Sequence, residues 1–358
     1  MKLKTLGYLA IAVAVLAGLA VIVFRPGDTT ETESAMGQKL FENLMVRDID
    51  RILITGNENQ VTFENSEGGW GVTDRNGFPA DFSRIAELVK KVQHLKVGRR
   101  FEVSEDIRIR LALQHPGKTS VPGSQKGTRV RFETGRGEPL VDLLVGKTRQ
   151  SGTAADGQYV MPMDGSEVYL VDKTFRFLDT NPAEWVKREL LNIAPDKILQ
   201  IGAYADASAE PLYVLVRGEQ ETDFTLKPPP ATGQLDQTEV KRVVEALTPL
   251  RIEDAQSREK PLAGKFRLEY TLSDGRRYTV TIGEKEEADQ EETFYLVDVD
   301  IGLIEREKGS HGQDSSGPPA PIEKEAEQLA KWTYLVSKWE IENFITDPRE
   351  LVTPKEKE

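Results

Sequence analysis

The sequence of 358 residues contains no cysteine and only three histidines. Without cysteine the chain can form no disulfide, cannot carry a lipid on an N-terminal cysteine, and has no thiolate for a zinc site. His94, His115 and His311 are far apart and form no His-x-x-x-His pair. We therefore expect no metal site, while the missing disulfides are compatible with a periplasmic location without establishing it.

Basic residues are few relative to acidic ones, with 47 Lys and Arg against 59 Asp and Glu. Lys2, Lys4 and Arg25 flank the first apolar run, so the remainder carries 44 basic and 59 acidic residues, a net charge of −15. A surface of this charge repels phosphate backbones and anionic head groups. The composition therefore predicts that nucleic acid is not a partner.

No long apolar run occurs beyond residue 24, but residues 6–24 carry no charge. As a helix these nineteen residues would span roughly 28 Å, close to the hydrocarbon thickness of a bilayer. Lysines precede the run and acidic residues follow it, which favours a cytoplasmic N-terminus. We expect a membrane anchor over residues 1–25, a flexible stalk over 26–38, and an inner-membrane, single-pass protein whose bulk is periplasmic. A cleaved signal peptide remains open, because Gly18-Leu19-Ala20 is a small-x-small site.

The most informative feature of the chain is an internal duplication. Residues 50–56, DRILITG, return as residues 196–202, DKILQIG, and Trp70-Gly71-Val72 returns as Phe224-Thr225-Leu226. Five apolar positions recur at one constant offset: Ile85, Leu88, Val89, Val92 and Leu95 return as Val240, Val243, Val244, Leu247 and Leu250. A repeat long enough to be a domain predicts two similar modules in tandem.

Each repeat has the pattern of a strand meander, one amphipathic helix and a second set of hairpins. Asp81 and Asp236 are placed to cap the two helices. The predicted fold is α+β: two tandem similar modules of mainly antiparallel sheet with one main amphipathic helix each, preceded by one N-terminal transmembrane helix. The expected boundaries are residues 39–182 for the first module, 183–353 for the second and 354–358 for a charged tail.

The two copies differ in two segments. Tyr159 of the first copy matches Tyr295 of the second, 136 residues later, whereas Tyr169 matches Tyr334, 165 residues later. The second copy is therefore longer between its two tyrosines, which predicts a loop insertion at residues 305–327. Residues 104–127 form the other segment, and its four apolar residues favour a function: Ile107, Ile109, Leu111 and Leu113. Both segments remain open to the alternative of tolerated surface additions.

The segment that contains Trp332 and Trp339 is ambiguous between strand and helix, because Leu329, Trp332, Val336 and Trp339 also have helical spacing. Both tryptophans could stack on sugar rings. Since Trp70 and its counterpart Phe224 are expected in the core, we expect the same of Trp332 and Trp339.

Two short motifs resemble catalytic signatures and fail on inspection. Gly146-Lys147-Thr148 looks like the end of a phosphate-binding loop, but Val141 occupies the position of the required first glycine. We interpret Gly146 as a turn that ends a strand, so no nucleotide is expected. Ser257 and Lys260 have the Ser-x-x-Lys spacing of penicillin-binding enzymes, but the companion Lys-Thr-Gly is absent.

Acidic residues give no stronger signal. Asp298 and Asp300 suggest a calcium loop without its later acidic ligand, and we expect both to point outward from a strand. The pairs Glu286-Glu287 and Glu291-Glu292 are expected in a solvated, charge-rich turn. No catalytic, cofactor-binding or metal-binding residue is predicted, and the chain is not expected to be an enzyme.

Several features in a fixed order resemble one bacterial family: the apolar N-terminus, Trp70-Gly71-Val72, Pro79-Ala80-Asp81, Val145-Gly146, and Tyr159 followed by residues 168–171. The chain is similar over residues 45–350 to the domain of unknown function 4340 family. The resemblance implies a membrane-tethered extracytoplasmic protein, often encoded beside an ABC-type permease and a gliding-motility-type auxiliary protein. It implies no catalytic residue.

The expected function is that of a non-enzymatic accessory protein, anchored through its N-terminal helix, which contacts an ABC-type permease or another envelope protein. The alternative is a module that binds an envelope glycan or polymer in a groove between the two repeats.

Overall fold

A computed structural model of the chain describes residues 36–151, 154–205, 208–218, 220–230, 233–287, 293–304 and 322–353. The predicted anchor, most of the stalk and the tail 354–358 lie outside these ranges. Within them, no helix is both long and apolar enough to cross a membrane. The described fold is α+β and dominated by antiparallel sheet, as predicted.

Strands are the main elements of the described chain. The first nine are β1 Arg51–Thr55, β2 Gln60–Ser66, β3 Gly69–Val72, β4 Phe78–Pro79, β5 Val97–Glu102, β6 Thr128–Glu133, β7 Pro139–Ser151, β8 Ala154–Pro162 and β9 Glu167–Val171. The others are β10 Glu189–Leu191, β11 Ile198–Ala205, β12 Pro211–Val216, β13 Thr225–Lys227, β14 Gln234–Leu235, β15 Leu250–Arg251, β16 Asp254–Ser257, β17 Phe266–Leu272, β18 Arg276–Glu287, β19 Thr293–Leu303, β20 Trp332–Ser337 and β21 Val352–Thr353.

Helices are few and short. They are α1 Phe82–Gln93, α2 Glu105–Arg110, α3 Gln237–Glu245, α4 Ile322–Ala330 and α5 Lys338–Ile341. Asp81 Oδ1 accepts the backbone N–H of Ser83 at 2.9 Å, and Asp236 Oδ1 accepts that of Thr238 at 2.9 Å. Both predicted caps are therefore confirmed. All ten apolar positions predicted for the two helical stripes are buried.

Two sheets share a strand order. One runs β4-β3-β2-β1-β6-β7-β8-β9-β5, and the other runs β13-β12-β11-β17-β18-β19-β20-β16. Without β4, the eight remaining strands of the first sheet match the second sheet strand for strand. Each matched run begins with a three-strand meander. It ends with β5, the first strand after α1, or with β16, the second strand after α3.

The described chain divides into two compact units that interleave in sequence. Unit 1 comprises Leu88–Arg131, Pro139–Leu178 and the described part of Met1–Val46. Unit 2 comprises Arg47–Glu87, Phe132–Glu138 and the described part of Asp179–Glu358. The tandem modules at residues 39–182 and 183–353 remain a prediction.

Three local expectations change. Residues 332–337 form strand β20, and only the following Lys338–Ile341 is helical, which resolves the ambiguity. Of the predicted loop 305–327, residues 305–321 lie outside the described chain and 322–327 begin helix α4, where Leu329 is buried. Trp70 is only partly buried, whereas Val72, two residues further along β3, is buried.

Gly146 and Gly283 do not end their strands. Each lies within a long strand, β7 or β18, at a point where the register with the next strand shifts. A Cβ built on Gly146 would approach the Leu113 side chain to 2.8 Å, and one on Gly283 would approach the Leu262 side chain to 2.6 Å. The prediction of a strand-terminating turn is therefore wrong, and the glycines are needed where a crossing leucine packs on a bulged strand.

Candidate functional site

Asp298 on β19 is fully buried, although the alternation of the sequence predicted that it points outward. Its Oδ1 accepts a hydrogen bond from the Thr333 hydroxyl at 2.6 Å. Its Oδ2 accepts the backbone N–H of Leu262 at 2.8 Å. The segment that connects β16 to β17 covers this face of the sheet at Leu262, so solvent does not reach the carboxylate.

Arg258, in the same connection, completes a charge network with two aspartates. Its Nε lies 2.7 Å from Asp298 Oδ2, and its Nη1 lies 2.7 Å from Asp300 Oδ1. The Arg258 side chain is 11% exposed, and that of Asp300 is 44% exposed. The bond to Asp300 raises the pKa of the Arg258 guanidinium, and burial opposes this effect. The network therefore extends from the fully buried Asp298, through Arg258, to Asp300 at the surface.

Burial and the Asp298 charge raise the pKa of the neighbouring Tyr334. Tyr334 donates its hydroxyl proton to the Leu329 carbonyl at 3.2 Å. The phenol is therefore a neutral part of the core beside the network and does not add a negative charge to it.

The matching position in unit 1 is apolar. Leu144 pairs with Met161 across β7 and β8, where Thr281 pairs with Asp298 across β18 and β19. Val160 faces Tyr169 in unit 1, and Val297 faces Tyr334 in unit 2, so the two tyrosines are equivalent. The residues that precede them are therefore equivalent as well: Val168 in unit 1 and Thr333 in unit 2. In unit 1 these positions form one apolar cluster: Leu113, Leu144, Met161 and Val168.

The substitution of charge for apolar packing has an energetic meaning. A buried ion pair is seldom more stabilising than apolar side chains of similar volume, because both charges lose their hydration. The apolar cluster of unit 1 shows that this sheet position can be filled without charge. The Arg258–Asp298 network is therefore a buried position at which the matched sheets differ in chemistry while sharing their strand order.

A tight turn covers the outer edge of the adjacent strand β16. Arg75 binds Asp254 in a bidentate ion pair, Nε to Oδ1 at 2.7 Å and Nη2 to Oδ2 at 2.7 Å. The Asn76 amide donates to the Ser257 hydroxyl at 2.6 Å. Asn76 has φ +52°, in the left-handed region that asparagine tolerates better than most residues. The turn is thus held at both ends of β16.

Two adjoining grooves open beside these contacts. The first, of about 520 Å³, has an apolar floor of Phe294, Leu296 and Leu335 and is bordered by the Arg75–Asp254 pair. The second, of about 760 Å³, is lined by residues 256–257 and 259–263 together with Lys265, Leu296 and Thr333. Both volumes are in the range of ligand-binding sites. Since Leu296 and Thr333 border both grooves, they form one continuous site on unit 2.

A family model described as domain of unknown function (DUF4340) matches residues 70–267. This match covers 198 of the 358 residues, more than half of the chain. The chain belongs to the DUF4340 family. No curated protein and no solved structure matches it.

Residues 70–267 of this DUF4340 chain, which the family model matches, contain only some of the residues of the site. The match includes the 73–76 turn, β16 and Arg258, and it ends before Asp298 and Thr333. It is also narrower than the predicted resemblance over residues 45–350. Both partners of the Arg75–Asp254 pair lie inside the match.

The two catalytic-looking motifs of this DUF4340 chain differ in their surroundings: Ser257 and Lys260 line the second groove, whereas Lys147 and Thr148 line neither groove. Ser257 accepts its hydrogen bond from Asn76, while Lys260 is exposed. Lys147 and Thr148 continue strand β7. Among the described residues, no group of three or more His, Asp or Glu side chains could hold a metal ion.

The other predicted positions are dispersed. His94 is exposed, as predicted, but lies in the turn directly after α1, and His115 accepts the Gly117 backbone N–H. His311 lies outside the described residues. Glu286 and Glu287 end strand β18, and the pair at 291–292 is outside the described chain. Neither His94 nor His115 lines the grooves.

The tryptophans separate into one core residue and one surface residue. Trp332 is 8% exposed and packs edge-on against Phe78 with ring centroids 5.1 Å apart, as predicted. Trp339 is 61% exposed, so the prediction that it lies in the core is wrong. Helix α5 begins after Trp332–Ser337 and turns the Trp339 side chain towards solvent.

The apolar residues of segment 104–127 are largely explained by packing. Leu113 is buried against Leu144 and Met161, with Leu111 beside them. Ile107 is 39% exposed. The apolar character of this segment therefore no longer argues for a function.

Sequence reasoning missed the Arg258–Asp298–Thr333 cluster. Arg258 belongs to the rejected Ser-x-x-Lys motif, and Asp298 belongs to the rejected calcium motif. The available signal was the comparison of copies: an aspartate in the second sheet stands where the first has methionine.

Proposed function

We propose that this protein is a non-enzymatic accessory protein of the cell envelope, which binds a protein component of an ABC-type transport system through the grooves of unit 2. The observation that carries the proposal is the Arg258–Asp298 network beside those grooves, at a position where unit 1 has an apolar cluster. Membership in the DUF4340 family is consistent with this role.

The network supports a binding role because it holds a groove wall in one arrangement. Leu262 N–H and Arg258 both bind Asp298, and they belong to the connection that borders the second groove. Buried charge pairs restrict the arrangements open to a segment, since any alternative would leave a charge unpaired. A fixed wall beside an apolar floor suits recognition of apolar side chains on a protein partner.

The duplication belongs to the same proposal. We infer two similar modules, residues 39–182 and 183–353, which share packing and differ in binding chemistry. The matching strand orders and the equivalent helix caps support this inference. Partner specificity then resides in the second copy, where the apolar cluster is replaced by charge.

The proposed location is the inner membrane, with residues 6–24 as an uncleaved anchor, the N-terminus in the cytoplasm and the bulk of the chain in the periplasm. The charge pattern around residues 6–24 supports this orientation. An alkaline-phosphatase reporter fused after Glu358 should be active. A mature, soluble product that begins near Val21 would contradict the anchor.

The alternative of glycan or polymer binding has less support. Stacking on sugars needs exposed aromatic faces in the site. Trp332 is buried, exposed Trp339 does not line the grooves, and Phe294 is the single aromatic residue of the first groove.

Recovery of the transporter component from native membranes tests the function. We expect Leu296→Arg, on the groove floor, to abolish co-purification of the permease with the full-length protein. Leu303→Arg is the matched control, because Leu303 lies on the same strand and is 53% exposed. Thermal unfolding verifies that both variants fold. Equal permease recovery with folded Leu296→Arg, or no permease with the wild type, would refute the proposal.

A further inference from the structure

Strand β5 is the last strand of the nine-stranded sheet among the described residues. It pairs antiparallel with β9 on one side: Arg99 faces Leu170, Arg100 faces Tyr169 and Phe101 faces Val168. In an antiparallel ladder, alternate residues direct their N–H and C=O groups away from the partner strand. Residues 99–102 therefore present backbone hydrogen-bonding groups along an edge.

The beginning of this same edge already pairs with another segment. Gly37 N–H donates to the Val97 carbonyl at 2.7 Å, and Val97 N–H donates to the Gln38 carbonyl at 2.9 Å. Lys39 forms an antiparallel bridge with Lys96. The described pairing stops at this point, although the backbone of β5 continues to Glu102. The geometry of the edge thus accepts an added antiparallel segment.

The equivalent edge of the second sheet is covered. Strand β16 occupies the same terminal position, and the turn that carries Arg75 lies against it through Asp254. Asp254 faces Leu335, as Arg99 faces Leu170. At matching positions the two edges therefore carry opposite charges. On β16, the guanidinium of Arg75 neutralises the carboxylate of Asp254. On β5 the charge is reversed, so a segment that covers this edge should carry a carboxylate that faces Arg99.

The charges around residues 99–102 agree with that requirement. Lys96 and Arg99 are exposed, and no described residue pairs with the Arg99 guanidinium. Arg100 lies 3.3 Å from Glu167. Residue 102 of the same strand is an exposed glutamate that faces Glu167. The positive charge of the edge is therefore concentrated at Lys96 and Arg99. Basic residues on an edge strand also oppose pairing between two copies of that edge, which leaves acidic segments as the favoured partners.

We propose that residues 99–102 of β5 bind an extended acidic segment of a partner protein by strand addition. Main-chain hydrogen bonds provide affinity, and Arg99 selects the charge of the segment. This surface lies in unit 1 and is independent of the grooves of unit 2, so it stands even if the proposed function fails.

The test uses the full-length protein in detergent micelles and a fluorescent decapeptide of alternating glutamate and valine. We expect binding, weakened roughly fivefold or more by Arg99→Glu, because an attraction becomes a repulsion. Arg110→Glu is the matched control, since Arg110 is exposed at the end of α2. A peptide N-methylated at every residue should bind about tenfold more weakly, because it lacks main-chain donors.

Three outcomes would overturn the proposal. Equal affinity for the methylated peptide would mean charge attraction without strand addition. An equal loss with Arg110→Glu would mean that general surface charge attracts the peptide. Tighter binding after Glu31→Gln and Glu33→Gln would mean that the chain's own acidic residues compete for the edge, so that the occupant is not a partner protein.

Discussion

Asp298 of β19 and Met161 of β8 occupy the same place in two sheets whose strand orders match when β4 is left out. Met161 lies in an apolar cluster, whereas Asp298 binds Arg258 and Thr333 in a buried polar one. Comparison of the two residues therefore shows that the fold itself needs only apolar packing at this position, and that the buried charge is a feature of the second sheet.

Replacement of the buried Arg258–Asp298–Thr333 cluster by the apolar residues found in unit 1 should preserve the stability of the protein and abolish binding of the permease. For the triple variant Arg258→Val, Asp298→Met and Thr333→Val, we expect a free energy of unfolding that is unchanged or higher by about 1–4 kcal/mol. Permease recovery should be lost. Urea unfolding and co-purification measure the two effects. Retained recovery would show that the network has no part in binding.

The single variant Asp298→Met should behave in the opposite way, because it leaves Arg258 buried beside an uncharged side chain. We expect a loss of about 3–5 kcal/mol in the free energy of unfolding. Asp300→Asn is the control, since this carboxylate is 44% exposed and should cost much less. Losses of similar size in the two variants would argue against a buried ion pair.

The Arg75–Asp254 pair should depend on the shape of the guanidinium as well as on its charge. Both side chains are largely buried, at 26% and 20% exposure. Arg75→Ala should lower the free energy of unfolding by about 1–3 kcal/mol. Arg75→Lys should recover only part of that loss, because a lysine cannot bind a carboxylate through two parallel hydrogen bonds. Arg136→Ala, at an exposed turn, should change little. Full recovery with lysine would contradict the bidentate geometry.

Glu340 should make the protein less stable as pH rises. Burial raises the pKa of this carboxyl, and a backbone hydrogen bond from Arg251 opposes the shift. One carboxyl oxygen, Oε1, has no hydrogen-bond partner among the described residues. A raised folded pKa means that the stabilising contribution is complete below the unfolded pKa of about 4.3 and is lost as pH rises through the folded pKa.

Glu340→Gln therefore should gain stability over the wild type as pH rises above about 4.3. Urea midpoints between pH 4 and 8 measure the difference. Glu342→Gln is the control, because Glu342 has a side chain that is 60% exposed. A wild type whose stability rises faster with pH than that of Glu340→Gln would refute the assignment.

Trp185 and Trp339 should differ sharply on truncation. Trp185 is fully buried, packs against Phe63 with ring centroids 5.0 Å apart, and donates its indole N–H to the Asp179 carbonyl. Trp185→Ala should cost about 3–5 kcal/mol in the free energy of unfolding. Trp339→Ala should stay within about 0.5 kcal/mol. Chemical denaturation measures the free energy of unfolding of both variants. Losses of similar size would contradict the difference in burial.

The main helix of each repeat was accessible from sequence because its signals are local. A capping aspartate followed by apolar residues at helical spacing identifies α1 and α3 without knowledge of the sheets. The strand meanders were equally visible from their turns. These elements account for the correct fold class.

The site was not accessible, because it depends on strand register. The predicted tyrosine match placed Tyr159 beside Tyr295, whereas the ladders place Tyr159 with Leu296 and Val160 with Val297. A shift of one residue moves every side chain of a strand to the other face. With the shifted match Asp298 was compared with Pro162 and not with Met161, so the exchange of methionine for aspartate was invisible. The Arg258 contact spans forty residues and has no local pattern.

The mid-strand glycines have a consequence for how this family can vary. Eight residues, 258–265, connect β16 to β17, while twenty-five residues, 103–127, connect β5 to β6. Both connections return a leucine, Leu262 or Leu113, to the recess above a glycine. The length of this connection is thus free to change as long as one leucine is kept at the anchor point. A chimera that carries connection 103–127 in place of 258–265 should fold when Asp298→Met is made with it, because the exchange removes Arg258, the buried ion-pair partner of Asp298. With that change, natural and designed insertions can be exchanged here as cassettes.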